Sequence, residues 1–238
     1  MISLGQEQAR VGPWRADGTV AFLVPVPGGG PASARFVREC LGALARQGYE
    51  RVVTAALAPE EQQGFVEAGF GVREQLHLLV LDRATEVPAP PAKPRLRRAR
   101  GRRKQGLLEV DTEAFEPFWR LDRAGLREAL SATPRHRTRV LLGERGKVVG
   151  YAICGAAGPR GFVQRLAVLP ELQGQGLGRR LLLDGVTWLR RVGTTQVAVN
   201  TQLGNAAALA LYHQVGFRDE PDGLSVLSAD LTRRALPR

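Results

Sequence analysis

Runs of apolar residues alternate with stretches in which they recur every three or four positions, so the chain reads as strands interleaved with helices. Near the start, Thr19-Val-Ala-Phe-Leu-Val-Pro25 has strand length and composition. Helical spacing follows over Phe36 to Arg46, a strand at Arg51-Val-Val-Thr54, a helix ending in Gly64-Phe-Val-Glu-Ala-Gly-Phe70, and a strand over Gln75 to Leu81.

The second half begins with a short apolar segment at Leu107, predicted as a strand. A helix is predicted from about Thr112 to Ala132, with Pro117 marking a start or a break. Strands at Val140-Leu-Leu142 and Val148 to Ile153 flank the turn composition Glu144-Arg-Gly-Lys147, and a second turn follows at Gly158-Pro-Arg-Gly161. Phe162 to Val168 is the next strand. Beyond it Leu182, Val186 and Leu189 form one helical stripe, flanked by Leu181 and Leu183. Val197-Ala-Val199 is a short strand, and the last helix runs from an Asn205 cap to Val215, closed by Gly216. Phe217 to Glu220 and Leu224 to Leu231 are predicted to pair across Pro221-Asp-Gly223.

Candidate chemistry concentrates in Leu166-Ala-Val-Leu-Pro-Glu-Leu-Gln-Gly-Gln-Gly-Leu-Gly-Arg-Arg180, where a strand enters a loop of three alternating glycines and then a helix. Such a loop lets successive N–H groups converge on an anion at a helix N-terminus, with Arg179 and Arg180 adding charge. A pyrophosphate suits it; a plain strand-to-helix turn is the other reading. The spacing excludes a dinucleotide fingerprint, because the third glycine comes early and Asn200 follows the next strand where an acid is required. It also lacks the Gly-Lys-Ser/Thr of a Walker loop.

Gln173-x-x-Gly176-x-Gly178 resembles the acyl-CoA signature of the GNAT superfamily of N-acyltransferases. A second hallmark follows in order: Asn205-x-x-Ala208-x-x-Leu211-Tyr212-x-x-x-Gly216-Phe217. The resemblance implies a mixed α/β (α+β) sheet whose fourth and fifth strands splay to admit the pantetheine arm of acetyl-CoA. It implies main-chain pairing of Leu166, Ala167 and Val168 with that arm, and carbonyl polarisation by the Val168 N–H. Gln173, Gly174, Gln175, Gly176, Leu177, Gly178 and Arg179 would hold the pyrophosphate, Asn205 would touch the cofactor, and Tyr212 would serve as general acid to the sulfur.

The charge developing on an acyl oxygen favours a fixed N–H, and a thiolate leaving group favours a proton from a phenol with an ordinary pKa near ~10. Many relatives carry a glutamate base on one of the splayed strands. Here Gln164, Arg165, Ala198 and Asn200 stand instead, so no side-chain base is evident. Glu171 could act through water or be a solvated loop residue, and His213 points about 100° away from Tyr212 around the helix.

Composition changes this picture little. The formal charge is +11, and Lys93, Arg95, Arg97, Arg98, Arg100, Arg102, Arg103 and Lys104 supply eight positives without an intervening acid. With Pro88, Pro90, Pro91 and Pro94, residues 83–106 read as a linker, a solvated tether in preference to a nucleic-acid arm because no aromatic residue is interleaved. Cys40 and Cys154 lie in apolar segments without metal-ligand spacing, and no metal site is visible. No apolar run has membrane-span length, and the first eight residues lack a signal-peptide core. A cytoplasmic location is the expectation.

The first half repeats part of the second. Leu44, Val52 and Gly69-Phe70 match Leu189, Val197 and Gly216-Phe217 in order, while Phe65 replaces Tyr212 and Pro31 replaces Gly176. It resembles a truncated, degenerate GNAT-like copy. The expected organisation is therefore a degenerate half over 1–82, a linker over 83–106 and an N-acetyltransferase domain over 107–238. The expected activity is acetyl transfer from acetyl-CoA to a primary amine of a small molecule, protein N-terminus or lysine. The alternative is a non-catalytic acyl-CoA-binding or nucleic-acid-tethered module.

Overall fold

A computed structural model describes residues 1–15, 17–26, 30–91 and 95–232. In chain order the strands and helices are β1 (Ile2–Leu4), β2 (Glu7–Trp14), β3 (Asp17–Pro25), α1 (Ala34–Arg46), β4 (Arg51–Leu57), α2 (Pro59–Glu67), β5 (Gly71–Asp82) and β6 (Leu96–Arg98). There follow α3 (Arg102–Ala114), α4 (Arg123–Ser131), β7 (Arg135–Leu142), β8 (Val148–Ala157), β9 (Arg160–Val168), α5 (Leu177–Arg191), β10 (Gln196–Gln202), α6 (Ala206–Val215), β11 (Arg218–Asp219) and β12 (Leu224–Asp230).

The chain divides into two compact units. The first contains Met1–Leu78, Gln202–Gly204 and the segment from Pro221 onward. Its strands run in the order β1-β2-β3-β4-β12-β5, parallel between β3 and β4 and antiparallel elsewhere. Phe36, Val37, Cys40, Leu41 and Leu44 recur on one stripe of α1 and bury it against this sheet, packing with Leu227 and Ala229 of β12. The core therefore depends on a strand from the far end of the sequence.

The second unit contains Leu79–Thr201 and Asn205–Glu220. Its strands run β10-β9-β8-β7-β6, and the end of β5 pairs with β11 through Leu79 and Val80. Strand β8 is buried along nearly its whole length and takes helices on both faces. Tyr151 meets α3, whereas Cys154, three residues on and so on the opposite face, meets α5. A Cβ at Gly185 would stand 2.6 Å from the Cys154 sulfur, which accounts for a glycine inside α5.

Three expectations need correction. Residues 83–106 are not a tether throughout, since Leu96–Arg98 pairs with β7 and α3 starts at Arg102. Leu96 packs on the core, while Arg97 and Arg98 stay exposed on an edge strand, where charge is well tolerated. Lys93 and Pro94 lie outside the described residues. Leu107 belongs to α3 and not to a strand: Leu107, Val110, Asp111 and Ala114 follow helical spacing, and Pro117 opens a short 3-10 turn between α3 and α4. Finally, the last two strands do not pair with each other. β11 joins β5, and β12 joins β4 and β5 in the first unit, where it satisfies a strand edge on each side. The second compact unit accordingly begins at Leu79 and releases the chain at Glu220.

Candidate active site

Strands β9 and β10 pair in parallel over three positions only, Arg160–Phe162 against Gln196–Ala198. Immediately beyond, the β8–β9 ladder shifts between Ile153↔Arg165 and Cys154↔Val163, a bulge at Gln164. A bulge bends and twists its strand, so β9 leaves β10 at this point and a cleft opens between them. The Leu169 N–H donates to the Val149 carbonyl at 3.0 Å. In an antiparallel ladder the hydrogen-bonded pairs alternate, so Val168 opposite Gly150 and Leu166 opposite Ala152 turn their main-chain groups the other way, toward the cleft. Ala167 falls on the alternate position, and its main chain bonds β8. Of the three strand residues predicted to pair with a pantetheine arm, Leu166 has a free main-chain edge, Val168 has a free N–H while its carbonyl accepts from Gln173, and Ala167 is engaged with β8.

The loop after β9 curls through a 3-10 turn, and its left-handed bends fall at Gly174 and Gly176, both with φ of 75°. A Cβ at either would meet nothing within 4 Å, so glycine is required by conformation and the space above the loop is open. Gly178 lies in α5, where a Cβ would touch Leu211 at 3.4 Å. The first helical bond of α5 runs from the Arg180 N–H to the Gly176 carbonyl at 3.0 Å. The N–H groups of Leu177, Gly178 and Arg179 thus point out of the helix start. The Gln173 Nε2 donates to the Val168 carbonyl at 3.1 Å and so braces the loop, although Gln173, like Gln175, is exposed. Arg180 Nε and Nη1 are buried without a hydrogen-bond partner among the described residues. A buried guanidinium without a partner beside open N–H groups fits an anionic ligand such as a pyrophosphate.

On α6, Asn205 caps the helix by accepting from the Ala208 N–H at 3.2 Å, and Gly216 closes it at φ 98°. Tyr212 is 5% exposed, with its ring 5.7 Å from that of Phe217. Its hydroxyl has no hydrogen-bond partner among the described residues. Burial first, and then the nearby Cys154 thiol, push its pKa above the usual phenol value, so it keeps its proton at neutral pH. His213 is half exposed and bonds Asp219 at 2.7 Å, away from the cleft chemistry, and Glu171 is exposed.

Sequence reasoning missed a buried polar cluster on the opposite face of β8. Asp111 is 0% exposed and accepts from the Leu121 N–H at 2.5 Å, from the Tyr151 hydroxyl and from Arg165 Nε at 2.9 Å. Arg165 also donates to the Trp119 carbonyl at 2.6 Å and lies 3.6 Å above the Phe115 ring. Burial, above all, raises the Tyr151 phenol well beyond its ordinary pKa, which keeps it a donor to Asp111. An acid inside the apolar stripe of α3 was the available signal. Arg165 follows the bulge directly, so this cluster fixes the strand where the cleft begins.

The described residues of the first unit repeat parts of this framework. Phe65 packs edge-on against Phe70 at 5.2 Å, as Tyr212 packs near Phe217, and the Phe70 and Phe217 N–H groups return to the Phe65 and Tyr212 carbonyls. At the start of α1, however, the Ser33 N–H and hydroxyl donate to the Glu7 carboxylate at 2.6 and 2.7 Å. A carboxylate of the chain itself therefore occupies the N-terminus where a phosphate would bind. A Cβ at Gly64 would stand 1.9 Å from the Ala32 carbonyl oxygen, so α2 presses on this loop. Gly28, part of the same loop motif, lies outside the described residues.

Among the described residues no helix is long and apolar enough to cross a membrane. Residues 104–217 match the acetyltransferase (GNAT) family model. The chain is 33% identical to the mycothiol acetyltransferase of Thermobispora bispora over 166 residues, 63% of this chain and 56% of that one. It is 35% identical to the [ribosomal protein bS18]-alanine N-acetyltransferase of Escherichia coli over 78 residues, 33% of this chain and 53% of that one. The chain thus spans little more than half the length of these curated relatives. A tandem GNAT protein from the clavulanic acid biosynthesis pathway shares the fold at a TM-score of 0.64 and 16% identity, over 90% of this chain and 76% of that one. The splayed strands, the glycine loop and the Asn205–Phe217 helix all lie inside the segment that matches the acetyltransferase (GNAT) family model.

Proposed function

We propose that the second unit is an N-acetyltransferase that takes acetyl-CoA as donor and a primary amine as acceptor. The observation that carries this reading is that one unit contains both a Val168 N–H turned away from β8 and an unpartnered, protonated Tyr212 phenol, with β9 and β10 paired over three positions only. Acetyl-CoA supplies an acyl group activated as a thioester. The N–H groups of Gly174 to Arg179, with Arg180, bind its pyrophosphate, and the free main-chain edge of Leu166 pairs with its amide arm. The Asn205 side-chain NH2, left free by the cap, is a further donor to it. The Val168 N–H donates to the acyl oxygen as that oxygen gains negative charge, and Tyr212 holds a proton at Oη for the departing sulfur.

Neither β9 nor β10 contains a carboxylate, so the amine loses its proton to solvent. Activity on a given amine therefore rises with pH along the ionisation of that amine. The names of the relatives, a mycothiol acetyltransferase and a ribosomal protein bS18 alanine N-acetyltransferase, make small amines carrying a thiol and peptides beginning with alanine the first substrates to try.

Thiol release from acetyl-CoA across an amine panel tests the reading. Tyr212→Phe keeps the ring that packs with Phe217 and should lower kcat by about 10²-fold while leaving acetyl-CoA affinity nearly unchanged. Gly176→Pro cannot adopt φ of 75° and removes a loop N–H, and should abolish acetyl-CoA binding. No acceptor-dependent thiol release by the wild type, or full turnover by Tyr212→Phe, would refute the assignment.

A further inference from the structure

A second basic feature lies away from the glycine loop. A cavity of about 430 Å³ opens where β6, the start of α3, β7 and α5 meet. Its walls carry Arg98, Arg100, Lys104, Arg137 and Arg139, together with Trp188. Trp188 lies eleven residues along α5 from Leu177, about 16 Å down the helix axis from the glycine loop.

The charges here are poorly balanced. Asp184 is the one carboxylate that pairs with these cations among the described residues, 3.0 Å from Arg137 Nη2 and 3.9 Å from Arg139 Nε. Arg98 and Arg139 stand directly opposite each other on antiparallel β6 and β7, an arrangement that like charges disfavour. Arg137 Nε is buried without a partner. Burial and then Arg137 push the Arg139 guanidinium below its usual pKa; Asp184 opposes them, and Arg98 adds to the repulsion. Five cations against one carboxylate leave an excess of four, whereas one phosphate monoester carries about −1.5 to −2 at neutral pH. Two linked phosphate groups neutralise most of that excess, and a third would complete it. The volume is that of a small-ligand pocket and not of a strand-tracking groove, and Trp188 gives it a single aromatic wall.

We propose that this cavity binds a small molecule bearing two or more phosphate groups, of the nucleoside polyphosphate class, with the phosphates on Arg98, Arg137 and Arg139 and the ring against Trp188. The site is separate from the acyl-CoA loop and does not depend on the acetyltransferase reading. It also gives the basic run from Arg98 to Lys104 a folded role, where sequence alone suggested a tether.

Calorimetry on the full chain with inorganic pyrophosphate, ADP and adenosine tests it. Pyrophosphate and ADP should bind, and adenosine alone should not. Arg98→Gln, an exposed edge-strand change that leaves the core intact, and Arg139→Gln should each weaken pyrophosphate by about tenfold or more, the worth of one charge-assisted hydrogen bond. In the Gly176→Pro background, where the glycine loop no longer takes pyrophosphate, pyrophosphate should still bind and that binding should remain sensitive to Arg98→Gln, and Trp188→Leu should weaken ADP alone. Pyrophosphate binding that is absent, that ignores Arg98→Gln, or that disappears with Gly176→Pro would overturn the site. Equal affinity of ADP and pyrophosphate, insensitive to Trp188→Leu, would overturn the ring contact. Binding of an RNA oligonucleotide that depends on Arg98 and is not displaced by pyrophosphate would instead make this face a nucleic-acid surface.

Discussion

Replacing Asp111 with alanine removes the acceptor at the centre of the buried cluster and leaves three donors facing one another. They are the Leu121 N–H, the Tyr151 hydroxyl and the Arg165 guanidinium. Removing one partner of a buried ion pair costs about 3–5 kcal/mol, because the remaining charge keeps its desolvation penalty. Each neutral donor left unpaired adds about 1–3 kcal/mol in isolation, although such terms overlap within one network. Arg165 is 14% exposed on its side chain and retains the Trp119 carbonyl and the Phe115 ring, which moderates its share. A loss of about 4–5 kcal/mol is expected, a large part of the ~5–15 kcal/mol that stabilises a typical domain. Urea unfolding followed by tryptophan fluorescence reads it, since Trp119 sits on the cluster. Arg165→Met added to Asp111→Ala removes the stranded charge and should recover about 2 kcal/mol. A single-variant loss below about 1 kcal/mol, the range of a solvated surface pair, or no recovery in the double variant, would refute the reasoning.

Three further outcomes are expected. Burial pushes both the Cys40 and Cys154 thiols up to about 12, so neither should react with a thiol reagent at pH 8 until the chain unfolds; one rapid equivalent from native protein would contradict this. The Tyr151 pKa is raised in the folded state, so its contribution to stability is complete below the unfolded value near ~10 and is lost as pH rises beyond it. The urea midpoint should fall above pH 10, and less steeply in Tyr151→Phe; equal slopes would count against the buried phenol. Calorimetric titration with acetyl-CoA should give one site per chain, because Glu7 fills the start of α1 in the first unit. A stoichiometry of two would show that the first unit binds as well.

The features legible in the sequence are those whose causes are local. Asn205 and Gly216 bound α6 at the predicted residues because a cap and a left-handed turn act within a few positions of themselves. The glycine loop was legible for the same reason, since only glycine takes its two left-handed bends. The Asp111 cluster was not, because its members lie 40 and 54 residues apart and α3 was read as a strand and a later helix. β12 was misassigned because Pro221-Asp-Gly223 has hairpin composition, yet the vacant edges that accept Leu224–Asp230 belong to β4 and β5. The basic run hid β6 because Leu96 is the sole apolar residue of its three.

The placement of β12 also sets an order in time. The Leu227 N–H donates to Thr54 Oγ1, 173 residues away, in the middle of the first sheet. At about 5–20 residues per second, synthesis takes roughly 7–30 s to pass from the end of β5 to the end of β12. During that interval β4 and β5 expose unpaired edges, which are templates for aggregation, and the many residues between them and β12 slow closure further. The half of the chain that is made first is therefore the half that folds last, and its need for protection on the ribosome lasts until the second unit has been synthesised.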